Sequence, residues 1–139
     1  MIVLDTSGLL AAIDASQRHH RAAADVLRLS AEPLLLSPFV LAELDYLIAN
    51  RVSAAAASAL LAQVAAGAYR LEPMDADDVA AAATIIDRYR DLGLGLADAS
   101  VMVLAERHDT LDLLTLDERH FRAVRGPNGR PFRILPADG

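Results

Sequence analysis

Ile2-Val3-Leu4-Asp5-Thr6-Ser7-Gly8 is the stretch on which the reading of this chain turns. Three apolar residues run straight into an acid, then two hydroxyls and a glycine. A short, wholly apolar run predicts a strand buried on both faces of a parallel sheet. Asp5 then stands at the carboxyl end of a central strand. Open α/β sheets take their ligands in the crevice beyond those ends. An acid there is a candidate anchor for a metal or a phosphate.

Two further runs repeat the signal. Leu34-Leu35-Leu36 predicts a second strand. Ser37 and Pro38 follow as N-cap and first helical residue of a helix through Phe39–Ala49. Its apolar face is expected to carry Val40, Leu44 and Leu47, with Glu43 beside them. Leu113-Leu114-Thr115 predicts a third strand, running into Leu116-Asp117 as Leu4 runs into Asp5. A short strand is expected within Ala68–Leu71, and an edge strand in Phe132–Leu135. Helices are expected at Leu9–Ile13, Arg21–Leu29, Ser53–Ala66, Ala76–Arg90 and, after Gly93 and Gly95, Leu96–Glu106. Strands alternating with helices predict an α/β fold with a mainly parallel sheet. The 139 residues suit a single domain, 1–139.

Composition excludes several chemistries. There is no cysteine, hence no disulfide framework, thiolate zinc site or cysteine nucleophile. All 13 cations are arginine. Without lysine there is no Walker-A phosphate site and no Schiff base. Phospho-acceptor aspartate folds of similar layout also use a lysine, and a second acid two residues after the first, where Ser7 stands here. The net charge of -6 gives no general attraction for nucleic acid. If such a chain binds RNA or DNA, it does so through a local basic patch or through metal ions at an acidic site. Asp5 interrupts any N-terminal apolar region, so no signal peptide is read and a cytoplasmic location is expected. The uncharged run Val52–Tyr69 is alanine-rich and reads as a closely packed helix rather than a membrane span.

Four acids share a placement. Asp5 and Asp117 end strands. Glu43 lies in the helix after the second strand, and Asp98 in the first turn of the helix before the last central strand. Each alone is explained as a cap or a surface charge. In a parallel sheet all four can converge on one edge. Two carboxylates about 5 Å apart, at an effective dielectric of about 20, repel by roughly 3 kcal/mol. Several such pairs protonate or recruit a cation. Oxygen ligands without cysteine favour Mg²⁺ or Mn²⁺ over zinc. One ion can activate a water and a second can stabilise a leaving oxygen. Thr6, Ser7 and Thr115 are candidates to orient an acid or a water. The adjacent His19 and His20 make a poor bidentate pair and are expected at a solvated surface.

In this order the motifs resemble the PIN domain: Asp5-Thr6-Ser7, Glu43, Gly95-Leu96-Ala97-Asp98 before Ala99-Ser100, and Thr115-Leu116-Asp117. Within that family the chain is most similar to VapC-like toxins of toxin–antitoxin pairs. The resemblance covers Ile2 to Pro136. It implies a three-layer α/β/α sandwich and an endoribonuclease dependent on Mg²⁺ or Mn²⁺. Asp5, Glu43, Asp98 and Asp117 would be its metal-site and catalytic acids, with Thr115 at a supporting position. It further implies a homodimer, a cognate antitoxin, and an RNA substrate, with tRNA and rRNA as candidates. His120 and the missing lysines are expected to alter the RNA-contacting surface.

Five of the 13 arginines, Arg119, Arg122, Arg125, Arg130 and Arg133, fall within 15 positions near the end of the chain. Arg119, Arg122 and Arg125, with Arg18 and Arg21, are candidates for flanking phosphates. Salt bridges to Glu118 or Asp138 are an equal alternative for that tail. The alanine-rich helices could pack against a second subunit or an antitoxin helix, or within the fold. A catalytically silent PIN-like module that holds RNA or a protein is the alternative function.

Overall fold

Apolar triplets form the strands. In the computed structural model, which describes residues 1–139, β1 spans Ile2–Leu4, β2 Leu34–Leu36, β3 Arg70–Leu71, β4 Asp112–Leu114 and β5 Arg133–Leu135. They form one sheet in the order β3-β2-β1-β4-β5, with every pairing parallel. Neighbouring residues of a strand point to opposite faces. Val3 and Leu4 are both fully buried, as are Leu113 and Leu114, so both faces of the sheet are covered. That is the physical content of the three-layer α/β/α arrangement, built here with seven helices.

The helices are α1 (Thr6–Ile13), α2 (His20–Leu29), α3 (Pro38–Arg51), α4 (Ala54–Ala65), α5 (Ala76–Arg88), α6 (Leu96–His108) and α7 (Glu118–Phe121). Their starts follow capping chemistry. Ser37 accepts from the amides of Phe39 and Val40 with Pro38 in the first turn, and Ser53 caps α4. Asp75 and Asp78 form a reciprocal capping box on α5. Ser37 is also fully buried, 2.7 Å from the hydroxyl of Ser100, which ties α3 to α6.

Register brings the strand ends level. Leu4 pairs with both Leu36 and Leu114, so Asp5, Ser37 and Thr115 follow side by side at the carboxyl edge. The chain moves outward from β1 through β2 to β3, then crosses to β4 on the other side of β1. The reversal opens a crevice between β1 and β4, at Asp5 and Thr115.

Three details differ from the sequence reading. Helix α1 begins at Thr6 rather than Leu9, because Asp5, still extended, turns directly into it. This tight entry needs Gly8. A Cβ there would lie 2.6 Å from the Leu114 carbonyl carbon and 2.8 Å from Leu114 Cγ. The buried face of α3 is Val40, Leu44 and Ile48, with Leu47 only half-buried. His20 is half-buried, its Nδ1 2.8 Å from the Ala11 carbonyl, and so bridges α1 and α2.

The alanine-rich helices find partners within the fold. Helix α4 sends Ala57, Leu60 and Val64 into the main core, while Ala82 of α5 packs on Ala99 and Val103 of α6. Phe121 of α7 meets Phe132 edge-on, with centroids 6.3 Å apart, and anchors the segment after Asp117. No helix is long and apolar enough to cross a membrane.

Candidate active site

The crevice at the sheet edge is a cavity of about 230 Å³ lined by Asp5, Thr6, Ser7, Leu10, Glu43, Leu47, Arg51, Asp98 and Asp117. All four acids singled out in the sequence line it. Each arrives on a different element: Asp5 between β1 and α1, Glu43 on α3, Asp98 on α6, and Asp117 just before α7.

Asp5 is the most constrained. It is only 3% exposed, and no cation pairs with it. Its Oδ2 accepts from the Thr115 hydroxyl at 2.7 Å and from the Ser7 hydroxyl at 3.1 Å. Ser7 accepts from the Leu116 amide at 3.0 Å, and Thr115 from the Asp117 amide at 3.0 Å. One hydroxyl network thus ties the first acid to the backbone carrying the last. Burial, reinforced by the negative charge of Asp98 and opposed by those hydroxyl bonds, pushes the Asp5 carboxyl up to about 6. Bringing a cation near would restore its ionised form.

Asp98 occupies the third position of α6, and its Oδ2 accepts from the Gly95 amide at 3.0 Å. That bond holds the carboxylate at the positive end of the helix. Asp117 caps α7 through the His120 amide, and its Oδ2 lies 2.7 Å from His120 Nδ1. The other ring nitrogen of His120 is 2.8 Å from the Leu92 carbonyl. Its hydrogen bond to Asp117, with the carboxylate charge beside it, raises the His120 pKa above the ordinary value. His120, expected from the sequence to alter the RNA-contacting surface, clamps Asp117 to the turn that precedes α6. Glu43 is exposed, as its reading as a surface charge expects, and it lines the cavity from α3.

Thr6 differs from the other two hydroxyls. Its Oγ1 is buried without a hydrogen-bond partner, and such a group costs about 1–3 kcal/mol if left unmet. The chemistry of the donor set fits a hard divalent cation: four carboxylates, hydroxyls nearby, no thiolate. As the side chains stand, no three of the acid and histidine groups share one coordination sphere. Mg²⁺ tolerates this, since it keeps several waters and takes one or two carboxylates directly.

The arginine candidates divide. Arg122 is held by Glu118 at 2.7 Å and Asp138 at 2.8 Å, and Arg130 and Arg133 pair with Asp109 and Asp112. Arg119 and Arg125 are exposed and have no carboxylate partner, as are Arg18 and Arg21. Leu10 and Arg51 line the cavity without belonging to any motif. The one sequence signal for Arg51 is its spacing of four and eight residues from Leu47 and Glu43. A larger cleft, about 640 Å³, lies between α5 and α6 and shares no lining residue with the acid cavity.

Known proteins resemble this chain over most of its length. A profile of the PIN domain matches residues 2–127. The chain is 44% identical over 135 residues to Ribonuclease VapC26 of Mycobacterium tuberculosis, covering 97% of this chain and all of that protein. Among solved structures it is similar to Mycobacterium tuberculosis VapC20, described as a sarcin-ricin loop cleaving toxin. The TM-score is 0.79 at 23% identity, over 84% of this chain and 90% of that one. It is also similar to VapBC2 from Rickettsia felis, solved with a fragment of promoter DNA. There the TM-score is 0.66 at 16% identity, over 97% of this chain and 99% of that one.

Proposed function

Since the chain belongs to the PIN-domain family, we propose that its acid cavity hydrolyses RNA phosphodiester bonds with the help of a divalent cation. The protein is a ribonuclease, the toxin of a toxin–antitoxin pair. One observation carries the catalytic reading: four carboxylates from four distant segments line one cavity at the switch point, with Asp5 buried there and unpaired with any cation.

Asp5, Glu43, Asp98 and Asp117 would hold Mg²⁺ or Mn²⁺. The chemistry such an ion supplies is Lewis acidity toward a phosphate oxygen and activation of water. The chain's own residues set the stage. Thr115 and Ser7 fix the rotamer of Asp5 by both donating to its Oδ2. Gly95 fixes Asp98 and His120 fixes Asp117. Glu43, exposed on α3, would join that set directly or through a water. Hydrolysis forms one bond from water oxygen to phosphorus and breaks one ester bond, the water's proton ending on the departing oxygen. Thr6 Oγ1, unpartnered, is available to a water or a phosphate oxygen.

The partners are RNA and an antitoxin, with tRNA and rRNA as the substrate classes and a homodimer as the assembly. Residues 1–139 act as one domain, in the cytoplasm. Arg119 and Arg125 contact flanking phosphates, while Arg122 contributes only after leaving Glu118 and Asp138.

Incubating the purified protein with total RNA tests this. Cleavage is expected with Mg²⁺ or Mn²⁺ and not in EDTA, and Asp98→Ala is expected to be inactive. RNA binding without cleavage under every divalent ion would favour the silent module instead. Cleavage unaffected by EDTA or by Asp98→Ala would overturn the site.

A further inference from the structure

Arg51 is the only positively charged residue lining the acid cavity. It stands at the last position of α3, two helical turns beyond Glu43, with Leu47 between them. Residues four apart share a face, and helical side chains lean toward the N-terminus of their helix. Arg51 accordingly lines the same cavity as Leu47 and Glu43. Four carboxylates share the cavity with it, yet none lies within 4.0 Å of its guanidinium, unlike the seven other arginines that hold carboxylates. Its donors are free.

A polyanion approaching this cavity meets a problem of charge. One divalent ion does not offset four carboxylates, so a phosphodiester brought against them is repelled unless another cation stands at the mouth. Resting on the ribonuclease reading, we infer that Arg51 binds a backbone phosphate of the RNA at the cavity mouth, through its guanidinium fork. It reads no base, because phosphate contacts position a strand without specifying sequence. Arginine suits the task, being always charged and able to give two parallel hydrogen bonds to phosphate oxygens. The competing role for a cation here is to complement the carboxyl end of α3. That role predicts an effect on melting and none on RNA.

Two measurements separate the possibilities. The first is fluorescence-polarisation binding of a short mixed-sequence single-stranded RNA to Asp98→Asn protein, with and without Arg51→Ala. The second is cleavage of the same RNA by otherwise wild-type protein carrying Arg51→Ala or Arg51→Lys. Arg51→Ala is expected to weaken binding and raise KM by roughly 10-fold or more, with kcat nearly kept. The slope of log affinity against log salt should become shallower by about 0.7, one phosphate contact on a single strand. Arg51→Lys should fall between, and the Mg²⁺ dependence and melting temperature should not move.

If the wild type cleaves and Arg51→Ala binds and cleaves equally well with the same salt slope, the inference is wrong and the ribonuclease reading stands. If Asp98→Asn binds RNA and loses that binding with Arg51→Ala, while the wild type never cleaves, Arg51 is supported and the catalytic reading falls. No RNA binding by any form would overturn both.

Discussion

Asp5→Asn removes one charge and keeps the shape of the side chain. The amide oxygen can still accept from Thr115 and Ser7, the bonds that hold Oδ2 today. The carboxyl is pushed from its ordinary 3.8 to about 6, mainly by burial. Its proton is therefore bound more tightly in the folded state than in the unfolded one. Folding suffers no penalty below 3.8, a growing one as pH rises from 3.8 to about 6, and the full penalty above. A rise of this size corresponds to roughly 3 kcal/mol at pH 8. Near pH 4.5 the same linkage leaves only about 1 kcal/mol.

Asparagine does not titrate, so the metal-free variant should gain on wild type by about 2 kcal/mol between those two pH values. Whatever the amide itself does to the hydrogen bonds cancels in that difference. Urea melts in EDTA at about pH 4.5 and about pH 8 measure it. Adding Mg²⁺ at the higher pH should then stabilise wild type and leave Asp5→Asn nearly unmoved, since ligand binding stabilises only the form that binds. The variant should be inactive on RNA. Equal stability differences at the two pH values, or equal stabilisation by Mg²⁺, would refute the placement of a destabilised carboxylate at the centre of the site.

Two further variants probe the frame around that acid. Gly8→Ala puts a methyl group against the Leu114 carbonyl and should cost about 1–3 kcal/mol. Activity should fall further than folding does, because α1 carries Ser7; a melt alongside cleavage at low temperature would show it. His120→Ala frees Asp117 from the Leu92 turn. The Mg²⁺ concentration for half-maximal cleavage should then rise about 10–100-fold, the usual effect of removing a group that orients a ligand. An unchanged Mg²⁺ dependence would mean that Asp117 needs no such support.

Much of the architecture is local and therefore legible. Short apolar runs such as Ile2–Leu4, Leu34–Leu36 and Leu113–Leu114 read as buried strands, and Ser37-Pro38 can hardly be anything but a helix start. Asp5, Glu43, Asp98 and Asp117 can be named because each sits at a fixed offset from such an element. Other features depend on partners far away in the chain. Thr115 binds Asp5 across 110 positions, and His120 reaches the carbonyl of Leu92, 28 positions back. The clash that keeps residue 8 a glycine involves Leu114. No periodicity encodes those meetings.

What the amino-acid order decided alone was the set of elements, their caps and which residues stand at their ends, because these follow from side-chain shape and short-range hydrogen bonding. What the tertiary structure decided was strand order and register, and with them the convergence of the acids, the freedom of Arg51 and the pairing of Arg122 with Asp138. Burial and charge act through space, and a carboxyl group acquires a pKa of about 6 only once distant segments have closed over it.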